Sequence, residues 1–128
     1  MNGNLIDTNI IIKVINGDIA VIRYFERIDS VFIPVIALGE LAYGASKSSK
    51  KEYNLKLFSE FTGEYPTLNI NGKVAAAYGQ IKYDLVRQGV NIPENDIWIA
   101  AIAVNNDLEL LTCDKHFENI PGLQSVIL

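Results

Sequence analysis

The sequence predicts an α/β fold with a largely parallel sheet covered on both faces, and three observations carry that prediction. Short β-rich apolar runs alternate with helical patterns along the whole chain, the arrangement that builds strand–helix–strand crossovers. The runs near Leu5, Val31 and Leu108 are bounded by polar residues and read as buried strands. Residues 97–104 are apolar on every face, so that helix belongs in the middle of a domain rather than on its surface.

Taken in order, Leu5 and Ile6 form the first strand, stopped abruptly by Asp7. Asp18 then caps a helix with Ile22 and Phe25 turned inward and Ile19 and Ile28 at its ends. Val31, Phe32 and Ile33 make a second buried strand closed by Pro34. Residues 36–46 follow as a helix in which Ala37, Leu41 and Ala45 share a face. Residues 46–51, Ser-Lys-Ser-Ser-Lys-Lys, read as a mobile basic loop. Leu57, Phe58 and Phe61 mark another amphipathic helix, and residues 67–69 the weakest strand. Residues 74–87 stack Ala77, Ile81 and Leu85 at four-residue spacing, and Gly89 supplies the left-handed stop. Residues 108–112 and 125–127 are the last two strands. There is no internal repeat and no linker-like stretch, so residues 1–128 are read as one domain.

Composition narrows the class. With 49% hydrophobic and 20% charged residues, the chain is globular rather than disordered. The lone Cys113 excludes an internal disulfide and fits a reducing compartment. No signal-like start or membrane-length apolar run is present, so a cytoplasmic location is expected. A net charge of −4 argues against a general basic nucleic-acid binder. Setting four of the 15 acids aside as metal ligands leaves 11 against 11 Lys plus Arg, however, and such a balance does not exclude an RNA substrate.

Four acids stand out. Asp7 is the only charge before Lys13, and Glu40 the only one between Asp29 and Lys47. Asp96 opens the all-apolar helix, and Asp114 follows the strand that ends at Thr112. Each has an ordinary alternative: Asp7 and Asp96 as helix caps, Glu40 on a solvated face, Asp114 opening a turn. Their joint placement is less ordinary. In open α/β sheets the ligand crevice lies outside the carboxyl ends of the strands. If the first and fourth strands are neighbours, all four acids converge there. Crowded carboxylates repel and hold their pKa values up unless cations neutralise them, and hard divalent ions with oxygen ligands fit best.

The order Leu-Ile-Asp-Thr-Asn (5–9), Gly-Glu-Leu-Ala-Tyr-Gly (39–44), Asn-Asp-Ile-Trp-Ile-Ala-Ala (95–101) and Thr-Cys-Asp-Lys-His-Phe (112–117) resembles the PIN-domain nucleases. Within them it is most similar to the VapC-type toxins of toxin–antitoxin pairs. The resemblance runs from Leu5 to about Pro121. It implies a three-layer α/β/α fold with a parallel five-stranded sheet in the order 3-2-1-4-5. It also implies Mg²⁺- or Mn²⁺-dependent endoribonuclease activity and restraint by a cognate antitoxin. Carried over by position, Asp7, Glu40, Asp96 and Asp114 match the family's acidic quartet, with Asn9 and Thr112 in support. Asp7, Asp96 and Asp114 would hold the metal, and Glu40 would orient water, accept its proton or bind a second ion. A homodimer is expected besides the antitoxin. Tyr43, Leu57, Phe58 and Phe61 are the apolar docking candidates for either partner. Basic residues in 46–51 and Arg87 are candidates for phosphate contacts, with plain solvated surface as the default for each.

Other readings fail on particular residues. Cys113 and His116 lack a third group to orient a thiol nucleophile, and one Cys and one His cannot build a structural zinc site. The glycines form neither a dinucleotide fingerprint nor a P-loop. A phosphoacceptor domain would need an acid near residues 67–71, where there is none. Two alternatives stay open: a PIN-like module that binds RNA or a partner without cutting, and a stand-alone RNA-processing nuclease.

Overall fold

The computed structural model describes residues 3–128. Its strands are β1 (Asn4–Ile6), β2 (Val31–Pro34), β3 (Thr67–Leu68), β4 (Glu109–Thr112) and β5 (Ser125–Ile127). Its helices are α1 (Thr8–Ile15), α2 (Ile19–Phe25), α3 (Val35–Lys47), α4 (Lys51–Thr62), α5 (Gly72–Arg87) and α6 (Glu94–Asn105), with a short 3-10 helix at Lys115–Asn119. All strand pairs are parallel, in the order β3-β2-β1-β4-β5. That is the sheet order the resemblance implies.

The sheet is buried on both faces because both sets of alternating side chains are apolar. Leu5 and Leu110, paired in register, face one side with Val74, Ile81 and Leu85 of α5 and the buried residues of α6. Ile6 and Leu111, the next pair, face the other side with Ile10 and Ile11 of α1, Val21 of α2 and Ala37 and Leu41 of α3. Three layers follow directly. Helix α6 is enclosed as its composition requires, with Ile99 to Ala103 fully buried. Helix α5 ends in a Schellman turn: Gly89 at φ 70° lets its own N–H reach the Val86 carbonyl and that of Val90 reach the Leu85 carbonyl.

Three local expectations are corrected. In α2, Phe25 packs against the core as expected, but Val21 is the buried residue, Ile22 is only half-buried and Ile19 is exposed. The basic stretch 46–51 is no mobile loop, because α3 runs to Lys47 and α4 begins at Lys51. Ser48 locks the turn between them: its hydroxyl donates to the Ala45 carbonyl at 2.7 Å and accepts from Asn54 Nδ2 at 2.9 Å. Finally, Tyr43, Leu57, Phe58 and Phe61 do not form one patch. Phe61 packs on Phe25 and Tyr65, Phe58 lines a groove with Leu38 and Leu55, and Tyr43 lines a different groove. Among the described residues, no helix is long and apolar enough to cross a membrane.

Candidate active site

The parallel β1–β4 pair brings two of the acids together at the carboxyl edge of the sheet. Asp7 leaves β1 with its backbone N–H on the Leu111 carbonyl at 3.0 Å, which sets it beside Thr112 at the end of β4. One oxygen of its carboxylate accepts the Thr8 N–H at 2.8 Å as the cap of α1. The other accepts the Thr112 hydroxyl at 2.7 Å and Asn9 Nδ2 at 3.2 Å. Capping and facing the crevice are therefore compatible for Asp7. Burial pushes its carboxyl up to about 6, against the Thr112 and Thr8 hydrogen bonds, and the charges of Asp96 and Glu40 add to the rise.

Thr112 is fully buried and is the hub of this inner cluster. Its hydroxyl also accepts the Asp114 N–H at 3.1 Å and Asn9 Nδ2 at 3.4 Å, and Asn9 Oδ1 takes the Cys113 N–H at 3.1 Å. Both supporting residues thus hold the strand ends in register around the acids. Glu40, in the middle of α3, accepts the Thr8 hydroxyl at 2.7 Å. Thr8 is one of the residues that sequence reasoning missed, though its place directly after Asp7 was a usable signal.

The outer cluster is more open. Asp96 lies in the first turn of α6, where the macrodipole favours an anion, but the cap position is Pro93 and no side chain caps the helix. Its Oδ2 meets His116 Nε2 at 2.7 Å instead. Asp114 does open a turn, accepting the His116 N–H at 3.1 Å as the cap of the 3-10 helix. Its Oδ1 also meets His116 Nδ1 at 2.9 Å. His116 therefore bridges the two acids, a role that its spacing from Cys113 does not reveal. Burial raises the Asp96 pKa, opposed by the hydrogen bond and charge of His116 and reinforced by Glu40 and Asp114. The Cys113 thiol is likewise raised by burial, the wrong direction for a nucleophile.

The four sequence-nominated acids lie close enough to feel one another's charge: Asp96 and Glu40 act on Asp7, and Glu40 and Asp114 act on Asp96. Asp96, Asp114 and His116 offer ligand atoms within 4.8 Å of one another. Asp7 and Glu40 adjoin them, coupled through charge. Carboxylate oxygens with one imidazole suit a divalent ion of the harder kind.

The PIN domain family model matches residues 5–123. The chain belongs to the PIN-domain family. PIN nucleases are generally dependent on a divalent metal, which the donor set here can accommodate. The chain is 36% identical to a protein named Ribonuclease VapC2 from Haemophilus influenzae over 124 residues, 94% of each chain. It is 33% identical over 126 residues to the tRNA(fMet)-specific endonuclease VapC of Shigella flexneri, again covering 94% of each. Among solved structures, VapBC2 from Rickettsia felis bound to a DNA fragment from its promoter superposes with a TM-score of 0.90. The identity there is 30%, over 99% of this chain and 98% of that one.

Proposed function

We propose that this PIN-domain chain is a metal-dependent endoribonuclease and the toxin component of a type II toxin–antitoxin pair. What supports the reading is the mutual charge coupling of Asp7, Glu40, Asp96 and Asp114, which come from four separate elements of a chain similar over 94% of its length to named ribonucleases. Asp7, Asp96 and Asp114 are the metal ligands, and Mg²⁺ or Mn²⁺ is the ion. When bound, such an ion supplies Lewis-acid activation of water and neutralises charge at the phosphate. Glu40, held by Thr8, orients the attacking water or takes its proton. Thr112 and Asn9 fix the Asp7 carboxylate so that its lone pairs face the crevice in one geometry. The substrate is RNA in single-stranded or looped form, because the scissile phosphate must reach the floor of an acidic crevice. The chain works as one domain in the cytoplasm, as a homodimer restrained by a cognate antitoxin.

Purified protein with Mn²⁺ or Mg²⁺ should cut a panel of structured RNAs, and EDTA should stop it. Asp7→Asn should lose the activity. Equal cutting by that variant would expose a contaminant, and no cutting of any RNA would return the chain to a binding-only role. Expression of the wild type alone should slow growth and Asp96→Asn should not; equal tolerance would remove the toxin assignment.

A further inference from the structure

A groove of about 740 Å³ runs away from the acid cluster, with Glu40 in its lining. One face of α3 lines it, from Gly39 and Glu40 through Tyr43 and Gly44 to Lys47, together with Ile12 of α1 and Asn95 of α6. Tyr43 stands one helical turn beyond Glu40 and is 65% exposed. Lys47, one turn further, places its ammonium 4.6 Å from the Tyr43 ring centre. At Gly39 and Gly44 a side-chain carbon would meet nothing within 4 Å, so no packing in the fold calls for glycine there. Glycine lowers helix stability at both positions, and what it leaves is open floor beside the aromatic wall.

We propose that this groove seats the nucleotide adjoining the scissile phosphate, with its base stacked on Tyr43 and a neighbouring backbone phosphate paired with Lys47. The inference rests on the ribonuclease reading above and adds the subsite that holds the strand. An apolar floor alone would suit a peptide as well. The ends of the groove favour a polyanion: it opens at the acid site where a phosphate is to be cut, and it finishes about 10 Å along the helix at a cation. An exposed aromatic face between them takes any base, since every base has a π-face, and it requires that base to be unstacked. A similar tyrosine–cation pair elsewhere supplies a control. Tyr83 and Arg87 on α5 have the same four-residue spacing and an exposed ring, with the guanidinium 5.6 Å from the ring centre, but they do not line this groove.

The test measures kcat/KM on bulk tRNA with Mn²⁺, and anisotropy with a fluorescein-labelled oligouridylate in Ca²⁺, for the full chain and its variants. Tyr43→Ala should lose roughly tenfold to a hundredfold in both, the size of one lost base–aromatic stack. Tyr43→Phe should keep most of both, and Tyr43→Leu, which retains bulk without the π-face, should behave like Tyr43→Ala even if the alanine variant folds poorly. Lys47→Ala should show a smaller loss that shrinks as salt rises. Tyr83→Ala should match the wild type. Cutting by the wild type that disappears in Asp96→Asn leaves the ribonuclease reading standing. Unchanged cutting and affinity in Tyr43→Ala would then overturn the groove assignment alone and leave a peptide as the occupant. If the wild type cuts nothing, the ribonuclease reading falls, and equal oligouridylate affinities for wild type and Tyr43→Ala would overturn the groove as well. Equal losses in Tyr83→Ala and Tyr43→Ala would overturn it too, by assigning the effect to surface tyrosines in general.

Discussion

The inner and outer halves of the crevice hold similar acids in different ways. Asp7 is 5% exposed, and its carboxylate is tied by Thr8, Asn9 and the fully buried Thr112. Asp96 and Asp114 have side chains 17% and 40% exposed, and they lean on one another through a single half-exposed imidazole. The inner half is built into the β1–β4 junction, with each Asp7 oxygen held by a donor of the fold itself. The outer half has an open face where the ligand set can adjust. A charge buried at the junction costs the empty fold stability, and the same charge is what a cation binds.

The largest effect should come from Asp7 in the metal-free protein. Its carboxyl is raised from 3.8 to about 6 in the fold, so the folded state holds the proton more tightly than the unfolded one. Stability from this source is fully present below pH 3.8 and is lost as pH rises through about 6. The change is on the order of 3 kcal/mol. The rise in Asp96 acts in the same sense. Urea unfolding in EDTA from pH 4.5 to 7.5 should show stability from this site falling with pH, and Asp7→Asn should flatten much of that slope. Equal slopes in the two proteins would mean that the inner carboxylate is better solvated than its burial implies.

The next effect belongs to the outer half. A cation binds the folded crevice and hardly the unfolded chain, so saturation at about 100 times its Kd should stabilise the wild type by roughly 2.7 kcal/mol. For a chain of this length that is a rise in Tm of roughly 8–12 °C. In Asp96→Asn the rise should largely vanish, because an anionic oxygen becomes a weaker amide carbonyl. Melting with and without Mn²⁺ at fixed ionic strength decides it. Identical shifts in both proteins would remove Asp96 from the ligands and leave only its favourable place in the first turn of α6.

Thr112→Val should come next. It keeps the shape of the side chain and deletes the hydroxyl, leaving one Asp7 oxygen short of a charge-assisted bond and the Asp114 N–H without its acceptor. A loss of about 1.5–3 kcal/mol in melting or urea unfolding is expected at pH 7.5. It should shrink toward pH 4.5, where Asp7 is protonated and less dependent on its donors. Thr112→Ser should recover most of it.

Much of this arrangement was legible because the acids interrupt apolar sequence. Asp7 and Glu40 are lone charges in long uncharged stretches, and Asp114 ends a strand whose pattern is plain. The sheet order came from the family resemblance, while two-sided burial came from the alternation of strands and helices. What could not be read were roles created by long-range contact. Thr8 meets Glu40 across 32 residues, and His116 meets Asp96 across 20. Thr8 had at least its place beside Asp7 as a hint, whereas no local pattern distinguishes His116 from a surface residue. Helix α1 was obscured because Ile10–Ile11–Ile12 is as good a strand as a helix until the Asp7 cap and its tertiary packing decide. The 46–51 loop was misjudged because the Ser48 side chain organises the turn between α3 and α4, and composition alone marks it only as polar.

The smallest expected effect is the sharpest test of the comparison, because it asks whether the outer half is held by anything of its own. His116 bridges Asp96 and Asp114 with Nε2 at 2.7 Å from one and Nδ1 at 2.9 Å from the other. The ring is 32% exposed, so water and salt screen its contacts with the two acids, which contribute at most about 1 kcal/mol. His116→Gln, which keeps one donor, should therefore lower the metal-free Tm by only a few degrees at low salt. At 0.5 M salt the difference should nearly disappear, since the screening length then falls to a few ångströms. Thr112→Val should lose as much at 0.5 M salt as at low salt, because its bond is buried. Melting both variants in EDTA at the two salt concentrations compares the halves directly. A His116→Gln loss as large and as salt-resistant as that of Thr112→Val would show that the outer acids are fixed as firmly as the inner one. The crevice would then be a single rigid site rather than a built wall facing an adjustable one.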